Sequence, residues 1–287
     1  MKNTTLKQLA SKFLATRDLN LVDKAEQILK EYNYTTNADL KRFLGISYFC
    51  GVNSSQKISK GEKLNYLTLV LYLSASRNAG VDICKFATSV CRKLCLVFSG
   101  HALIEERSNK NTIAVSRCVK TWLTVFRRDL ADKLINADII RAQKMANRKG
   151  MEFAVRLNGT SDIDFSNHIK AFPNTQFYDY SKEPHRPTFP NYHITFSFGS
   201  ILRMKHYKDA LRKGQAIAFP VYDIEACLQL AGTYSMDNTD LRFLDIVTTS
   251  KRFGLLKVKK TGKSVNNESN GFVLTRDELA CVLGGLV

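Results

Sequence analysis

Three cysteines lie close together in the chain, at Cys84, Cys91 and Cys95. Thiolates are the usual protein ligands of iron–sulfur clusters, and three of them would leave one iron open to a small ligand. The same three cysteines with His101 are chemically suited to a closed zinc site. A further alternative is that one or more of these thiols packs as a small hydrophobic group, as we expect for the other cysteines. The pattern favours a metal site, with an iron–sulfur cluster as the leading interpretation and zinc as the alternative.

An apolar run precedes these cysteines and must position them. Residues 67–74 read Leu-Thr-Leu-Val-Leu-Tyr-Leu-Ser and are bounded by polar residues. Such a run predicts a buried strand. The cysteines would then lie in the loop beyond the carboxyl end of this strand, where the catalytic and ligand-binding residues of α/β proteins are usually found.

Polar residues also fall near the ends of later predicted strands, at residues 153–157, 176–180 and 192–197. In a barrel the carboxyl ends of parallel strands converge on one rim, so these residues form one candidate pocket. The predicted cofactor-binding residues are Asn158, Thr160, Ser161, Asp162, Asp179, Lys182, Thr195 and Ser197.

The order of predicted elements indicates the fold. Strands alternate with helices and loops after residue 60, which predicts an α/β protein with a partial (β/α)6-type barrel over residues 53–287. The sequence pattern of residues 1–52 predicts a small helical N-terminal domain, in which Thr36 is a candidate N-cap and Gly45 a candidate helix stop. A polar linker is predicted over residues 53–61, and two successive helices over residues 110–150.

Composition limits the classes of protein. The chain has 287 residues, 44% of them hydrophobic, which is enough for a substantial core. No apolar run approaches the roughly 20 residues of a membrane helix, so we expect no membrane contact and a cytoplasmic protein with reduced thiols. The formal net charge of +17 makes nucleic acid a plausible partner.

Several stretches resemble the phage family named for the mycobacteriophage gene eighty-eight product. The resemblance covers about residues 55–275 and includes Leu71-Tyr-Leu-Ser74, Arg156-Leu-Asn-Gly-Thr-Ser-Asp-Ile163, Asn191-Tyr-His-Ile-Thr-Phe-Ser197 and Asp240-Leu-Arg242. It implies a phage or mobile-element protein, encountered in the cytoplasm of the host cell.

The layout in turn resembles the partial barrel of radical S-adenosylmethionine enzymes, which have a first strand, a three-cysteine loop and a polar motif ending the second strand. This resemblance implies that the three cysteines hold the cluster and that residues 158–162 meet the methionine group of S-adenosylmethionine. The spacing differs, because this chain places six and then three residues between its cysteines, whereas those enzymes typically place three and then two.

Two hypotheses of function follow. In the first, a phage-type protein uses a metal site at the strand ends to act on a nucleic-acid-related substrate. In the second, a non-catalytic, basic nucleic-acid-binding protein of phage or plasmid replication carries zinc or merely packed cysteines. An open polar pocket beside the thiols would favour an enzyme, whereas a continuous basic track with plugged strand ends would favour binding. A third hypothesis, a host-interaction or anti-defence protein, has no signature in the sequence.

Overall fold

The computed structural model describes residues 5–52, 56–95, 112–245, 247–248, 250–258 and 271–286. Helices occur throughout these residues. They are α1 Leu6–Thr16, α2 Asn20–Glu31, α3 Asn37–Leu44, α4 Gln56–Glu62, α5 Ser89–Lys93, α6 Thr112–Phe126, α7 Arg128–Lys149, α8 Ser166–Ala171, α9 Met204–Arg212, α10 Ile224–Cys227 and α11 Arg276–Gly284.

The strands form one open sheet. They are β1 Gly51–Val52, β2 Tyr66–Val70, β3 Glu152–Arg156, β4 Gln176–Ser181, β5 Tyr192–Ser197, β6 Ile217–Val221, β7 Thr233–Ser235 and β8 Phe253–Lys257. The spatial order is β1-β2-β3-β4-β5-β6-β8-β7, and every pair except β1 with β2 is parallel. The predicted α/β class is therefore confirmed.

In the described part of the chain, the longer helices pack against one face of the sheet, which we call the outer face. Side chains alternate between the two faces of a strand. On the outer face, Leu67 and Leu69 of β2 and Phe153 and Val155 of β3 lie in the largest apolar core, together with the buried side chains of α1, α2, α6 and α7. A second core continues over the outer face of β6 and β8 with α9 and α11. The helices α6 to α9, which connect parallel strands, contribute buried residues to these two cores and so cover the outer face.

The third N-terminal helix begins and ends where the sequence predicts. The Thr36 side chain accepts a hydrogen bond from Asp39 N–H at the start of α3, and Gly45 ends this helix with φ 67°. Buried residues of α1–α3 belong to the same core cluster as β2 and β3. Residues 51–52 pair with β2 as an edge strand. The division of the chain at residue 52 stays a prediction.

Short elements differ from the sequence prediction. The predicted polar linker is helical from Gln56 onward, as α4. The strands β1 and β7, of two and three residues, were not predicted, because segments this short carry too little hydrophobic pattern. None of the helices in the described ranges is long and apolar enough to cross a membrane.

Candidate functional site

The loop that carries the cysteines, residues 71–95, leaves the carboxyl end of β2 and is called the cysteine loop here. Two contacts attach it to α6. The Ser74 N–H donates to Thr121 Oγ1 at 2.9 Å, and Trp122 Nε1 donates to the Ala79 carbonyl oxygen at 2.8 Å. All four of these residues are buried, so the loop is part of the packed structure.

An ion pair between Arg92 and Asp82 makes hydrogen bonds to the backbone of the cysteine loop. Arg92 donates to both carboxylate oxygens of Asp82, at 3.1 and 3.0 Å, and to the Cys84 carbonyl oxygen at 3.0 Å. Asp82 also accepts from the Cys84 N–H at 3.0 Å, and Thr88 caps α5 by accepting from the Cys91 N–H at 3.2 Å. Burial raises the pKa of Asp82, but these hydrogen bonds outweigh it and hold the pKa below its usual value. The backbone between the first two cysteines is thus held by charged hydrogen bonds.

The three cysteine side chains lie in the same region. Burial raises the pKa of Cys84 to about 12, and the nearby charges of Asp162, Cys95 and Cys91 contribute to the increase. Cys84 Sγ lies 4.0 Å from the Thr160 carbonyl oxygen. Since electrostatic interaction requires proximity, the loop brings the three thiols near one another and near the end of β3.

The thiols are not arranged as a ready ligand set. Among the described residues, no three side chains of histidine, cysteine, aspartate or glutamate are grouped so that they could hold a metal ion. The predicted zinc ligand His101 lies outside the described residues. The iron–sulfur and zinc assignments therefore both stay predictions.

The predicted polar motif after β3 forms an internal hydrogen-bond network. Asn158 Oδ1 accepts from Ser161 Oγ at 2.8 Å and from the Ile163 N–H at 2.9 Å. Asn158 also donates to Asp179, through its backbone N–H at 2.8 Å and its Nδ2 at 3.2 Å. Three of the predicted cofactor-binding residues, at 158, 161 and 179, are consequently brought together, but they bind one another.

Asp179 ties three strands together on the outer face of the sheet. Besides its bonds from Asn158, it accepts from Tyr192 Oη of β5 at 3.1 Å. Burial raises the pKa of Asp179 to about 6, although the Arg156 charge and the Asn158 hydrogen bonds act to lower it. The Asp179 carboxyl group therefore links neighbouring strands, a structural role that its position in the sequence did not indicate.

Thr160 and Asp162 attach the motif to its neighbours. Thr160 Oγ1 donates to the Leu73 carbonyl oxygen of the cysteine loop at 2.5 Å. Asp162 accepts from the Lys182 N–H at 2.9 Å and from Arg186 Nη2 at 2.5 Å. The carboxyl edge of β2, β3 and β4 is therefore joined by side chains that the sequence analysis assigned to a cofactor.

The remaining predicted residues lie elsewhere along this edge. Lys182 follows β4, and its Nζ lies 5.6 Å from the centre of the Phe272 ring. Thr195 and Ser197 belong to β5 and point to the inner face of the sheet, the face opposite the helices. Thr195 is fully buried and Ser197 is half-buried.

The inner face is partly covered by residues 236–245, which we call the cover segment. Leu241 packs with Ala154 and Tyr178 of the inner face. The Phe243 ring centre lies 5.4 Å from that of Tyr178. Two charged side chains of the cover segment, Asp240 and Arg242, are also buried against this face.

Arg156 of β3 and Tyr180 of β4 were not among the predicted cofactor-binding residues, although Thr195 beside them was. Arg156 binds Asp240 at 2.7 Å, and its guanidinium lies 4.9 Å from the centre of the Tyr180 ring. Tyr180 pairs with Thr195 across β4 and β5, two residue pairs beyond Tyr178 and His193 and on the same face. The sequence feature that indicates this grouping is the alternation of side chains within β4 and β5, which puts every second residue on the same face of the sheet.

Comparison with known proteins gives a family and no further relative. A family model described as Gene product 88 matches residues 50–275, which is more than half of the chain. No curated protein and no solved structure matches. The chain therefore belongs to the Gene product 88 family, the phage gene-product family that its sequence motifs resemble.

Proposed function

We propose that this phage protein binds a metal centre through Cys84, Cys91 and Cys95 and acts on a nucleic-acid-related substrate at the carboxyl edge of its sheet. The observation that supports the proposal is the position of the three cysteines in one loop after the first parallel strand, with Cys91 and Cys95 close enough to influence the pKa of Cys84. Soft thiolate donors suit an iron–sulfur cluster or zinc.

The topology supports a partial barrel of the radical S-adenosylmethionine type. Five parallel strands, β2 to β6, lie side by side in chain order, and β8 follows β6 as the sixth. An open parallel sheet with helices on one face is compatible with the incomplete (β/α) barrel that we propose. Catalytic residues of barrels come from the carboxyl ends of the strands, where the cysteine loop begins.

The donor chemistry fits a metal, although the side chains would have to close around it. Cys84 holds its proton at neutral pH, and only deprotonated thiols bind metals, so metal binding would release protons. A cluster held by three thiolates would leave one iron open to a small ligand such as S-adenosylmethionine. With zinc, a fourth ligand such as His101 would complete a closed site.

The polar residues of the edge would then support this site. Asp162 is close enough to influence Cys84, and its bonds to Arg186 and Lys182 fix its carboxylate. Asn158, Thr160 and Ser161 would hold the loops that flank the metal rather than contact a cofactor with their side chains, because these make hydrogen bonds within the protein.

The metal content of cysteine variants tests the proposal. Protein purified without oxygen is expected to contain bound iron or zinc, and Cys91→Ser is expected to lose most of it. Cys281→Ser is the matched control, because Cys281 is exposed on α11 and lies outside the cysteine loop. Equal metal content in wild type and Cys91→Ser, measured by mass spectrometry, would refute the assignment.

A second candidate function, non-catalytic nucleic-acid binding, is supported by a basic stripe on α7. Arg141, Lys144 and Arg148 lie three or four residues apart and line one surface depression of this helix. All three are exposed. Side chains at this spacing share one helix face, so they could follow a phosphate backbone.

A further inference from the structure

The inner face of the sheet contains buried polar groups that the thiol site does not use. They come from three neighbouring strands, with Arg156 on β3, Tyr180 on β4, and His193 and Thr195 on β5. The 3-10 turn Arg242–Leu244 of the cover segment contacts β5, which places Arg242 beside these groups, and its charge influences both Tyr180 and His193. One compact polar cluster is formed in this way.

The acidic members of this region already have partners. Asp240 accepts from Arg156 Nη1 at 2.7 Å and from Tyr178 Oη at 3.3 Å. Asp245 pairs with Arg242 Nη1 at 2.9 Å and accepts from Tyr234 Oη at 3.3 Å. The two carboxylates balance the two guanidinium charges but leave other donor atoms of the cluster unused.

Several buried polar atoms of the cluster have no hydrogen-bond partner in the described part of the chain. They are Arg156 Nε, Tyr180 Oη, His193 Nε2, Thr195 Oγ1 and Arg242 Nε. Leaving such a group unsatisfied costs about 1–3 kcal/mol, and native proteins rarely leave several together. Two of these side chains are almost completely buried, Thr195 at 0% exposure and Arg242 at 1%.

The unused atoms are mainly donors. Both arginine Nε atoms can only donate, and the hydroxyls of Tyr180 and Thr195 can donate to an incoming acceptor. Burial, with the Arg242 charge, lowers the pKa of His193 to about 4, so its ring is neutral at pH 7 and can donate or accept. Such a cluster fits a ligand that presents several oxygen acceptors.

The inner face is partly exposed to solvent beside the cluster. Tyr180, Ser197 and Pro220 come from the central strands β4, β5 and β6, yet all three are only half-buried. Tyr180 also packs against the apolar cluster that contains Tyr234 and Met236. A ligand that reaches the polar groups would have to approach beside these half-buried side chains.

We propose that Arg156, Tyr180, Thr195 and Arg242 bind a small oxyanion, the phosphate or carboxylate group of a ligand, on the inner face of the sheet. Guanidinium groups and hydroxyls are the donors that proteins commonly use for both anions. This site does not require a metal on the thiols, so either proposal can fail without the other.

Titration calorimetry with inorganic phosphate and with malonate tests the oxyanion site. Wild type is expected to bind at least one of them. Thr195→Val and Tyr180→Phe each remove one donor and are expected to weaken binding by about threefold to tenfold. Neither substitution changes the net charge, so a loss of affinity reports on the cluster rather than on the overall charge of +17.

Thr124→Val is the matched control, because the buried Thr124 hydroxyl already donates to the Lys120 carbonyl oxygen on α6. It is expected to bind the probes as wild type does. Phosphate binding alone would assign a phosphate-bearing ligand, and malonate binding alone a carboxylate-bearing one. No binding of either probe, or equal affinity in wild type, Thr195→Val and Tyr180→Phe, would overturn the proposal.

Discussion

At the scale of single residues, the two faces of the sheet use polar groups differently. Asp179 on the outer face accepts hydrogen bonds from Asn158 and Tyr192, which join three strands. Within the described residues, His193 Nε2 on the inner face has no hydrogen-bond partner. The first arrangement stabilises the fold, whereas the second belongs to the cluster for which we propose a ligand.

Asp179 and His193 should give opposite slopes to stability between about pH 4 and 6. The folded-state pKa of Asp179 is raised to about 6, so the folded chain holds the extra proton and the free energy of unfolding falls as pH rises through this range. The folded-state pKa of His193 is lowered to about 4, so the unfolded chain holds the extra proton and the free energy of unfolding rises with pH.

Substituting each residue separates the two slopes. Asp179→Asn removes the falling contribution, so the free energy of unfolding of this variant should increase between pH 4 and 6 relative to that of wild type. His193→Gln removes the rising contribution, so its free energy of unfolding should decrease over the same range relative to wild type. Each relative change should be on the order of 2 kcal/mol. Urea unfolding at several pH values measures this. Parallel pH profiles for wild type and both variants would contradict the assignment.

The sequence analysis selected Asn158, Ser161 and Asp179 as ligand-binding because they are polar and lie at strand ends. In the structure their side chains bind one another. Among the described residues, the unpartnered atoms of the inner-face cluster lie within the strands and in the cover segment instead, and Thr195 is the predicted residue among them. Which face the helices cover decides this difference, and that depends on long-range packing that one sequence does not display.

At the scale of elements, close contact between β3 and the cysteine loop depends on a residue without a side chain. A Cβ atom on Gly159 would lie 2.7 Å from the Leu71 carbonyl oxygen and 2.8 Å from Tyr72 Cδ1. The backbone after β3 therefore packs directly against the first residues of the loop, and a larger residue would push the two apart.

We expect Gly159→Ala to lower the free energy of unfolding by about 1–3 kcal/mol through this overpacking. Gly284→Ala is the matched control. It lies in α11 with no atom within 4 Å of its added Cβ, so alanine should be neutral or slightly stabilising there. Urea unfolding compares the two, and equal stability of Gly159→Ala and wild type would refute the packing argument.

Long elements were predictable and short ones were not. The helical spacing of apolar residues over 110–150 predicted α6 and α7, and alternation predicted β3, β4 and β5. The cover segment was not predicted, because its only regular structure is a short 3-10 turn at Arg242–Leu244. Its position over the inner face follows from contacts with Tyr178 and Arg156, far away in the sequence.

At the scale of the whole molecule, the net charge of +17 favours polyanions. If the second candidate function holds, the stripe on α7 should contribute to the salt dependence of binding. The slope of log affinity against log salt is negative, and the double variant Lys144→Gln with Arg148→Gln should make it shallower by about 2 for duplex DNA. Arg141 is left unchanged because it pairs with the buried Asp138.

The control for charge alone is the double variant Lys12→Gln with Lys24→Gln. These lysines are exposed on α1 and α2 and are absent from the α7 stripe, yet their substitution changes the net charge equally. Fluorescence anisotropy measures both slopes. The same slope for the two double variants would show that the stripe is not the binding surface.

The central claim, a metal centre on the cysteine loop, is tested most directly by iron and acid-labile sulfide content. Wild-type protein purified without oxygen is expected to contain iron and sulfide in equal amounts and to show the broad visible absorbance of an iron–sulfur cluster. Zinc without sulfide would move the assignment to a closed structural site. Neither metal nor sulfide in the anaerobic protein would contradict the account and leave the thiols as packed side chains.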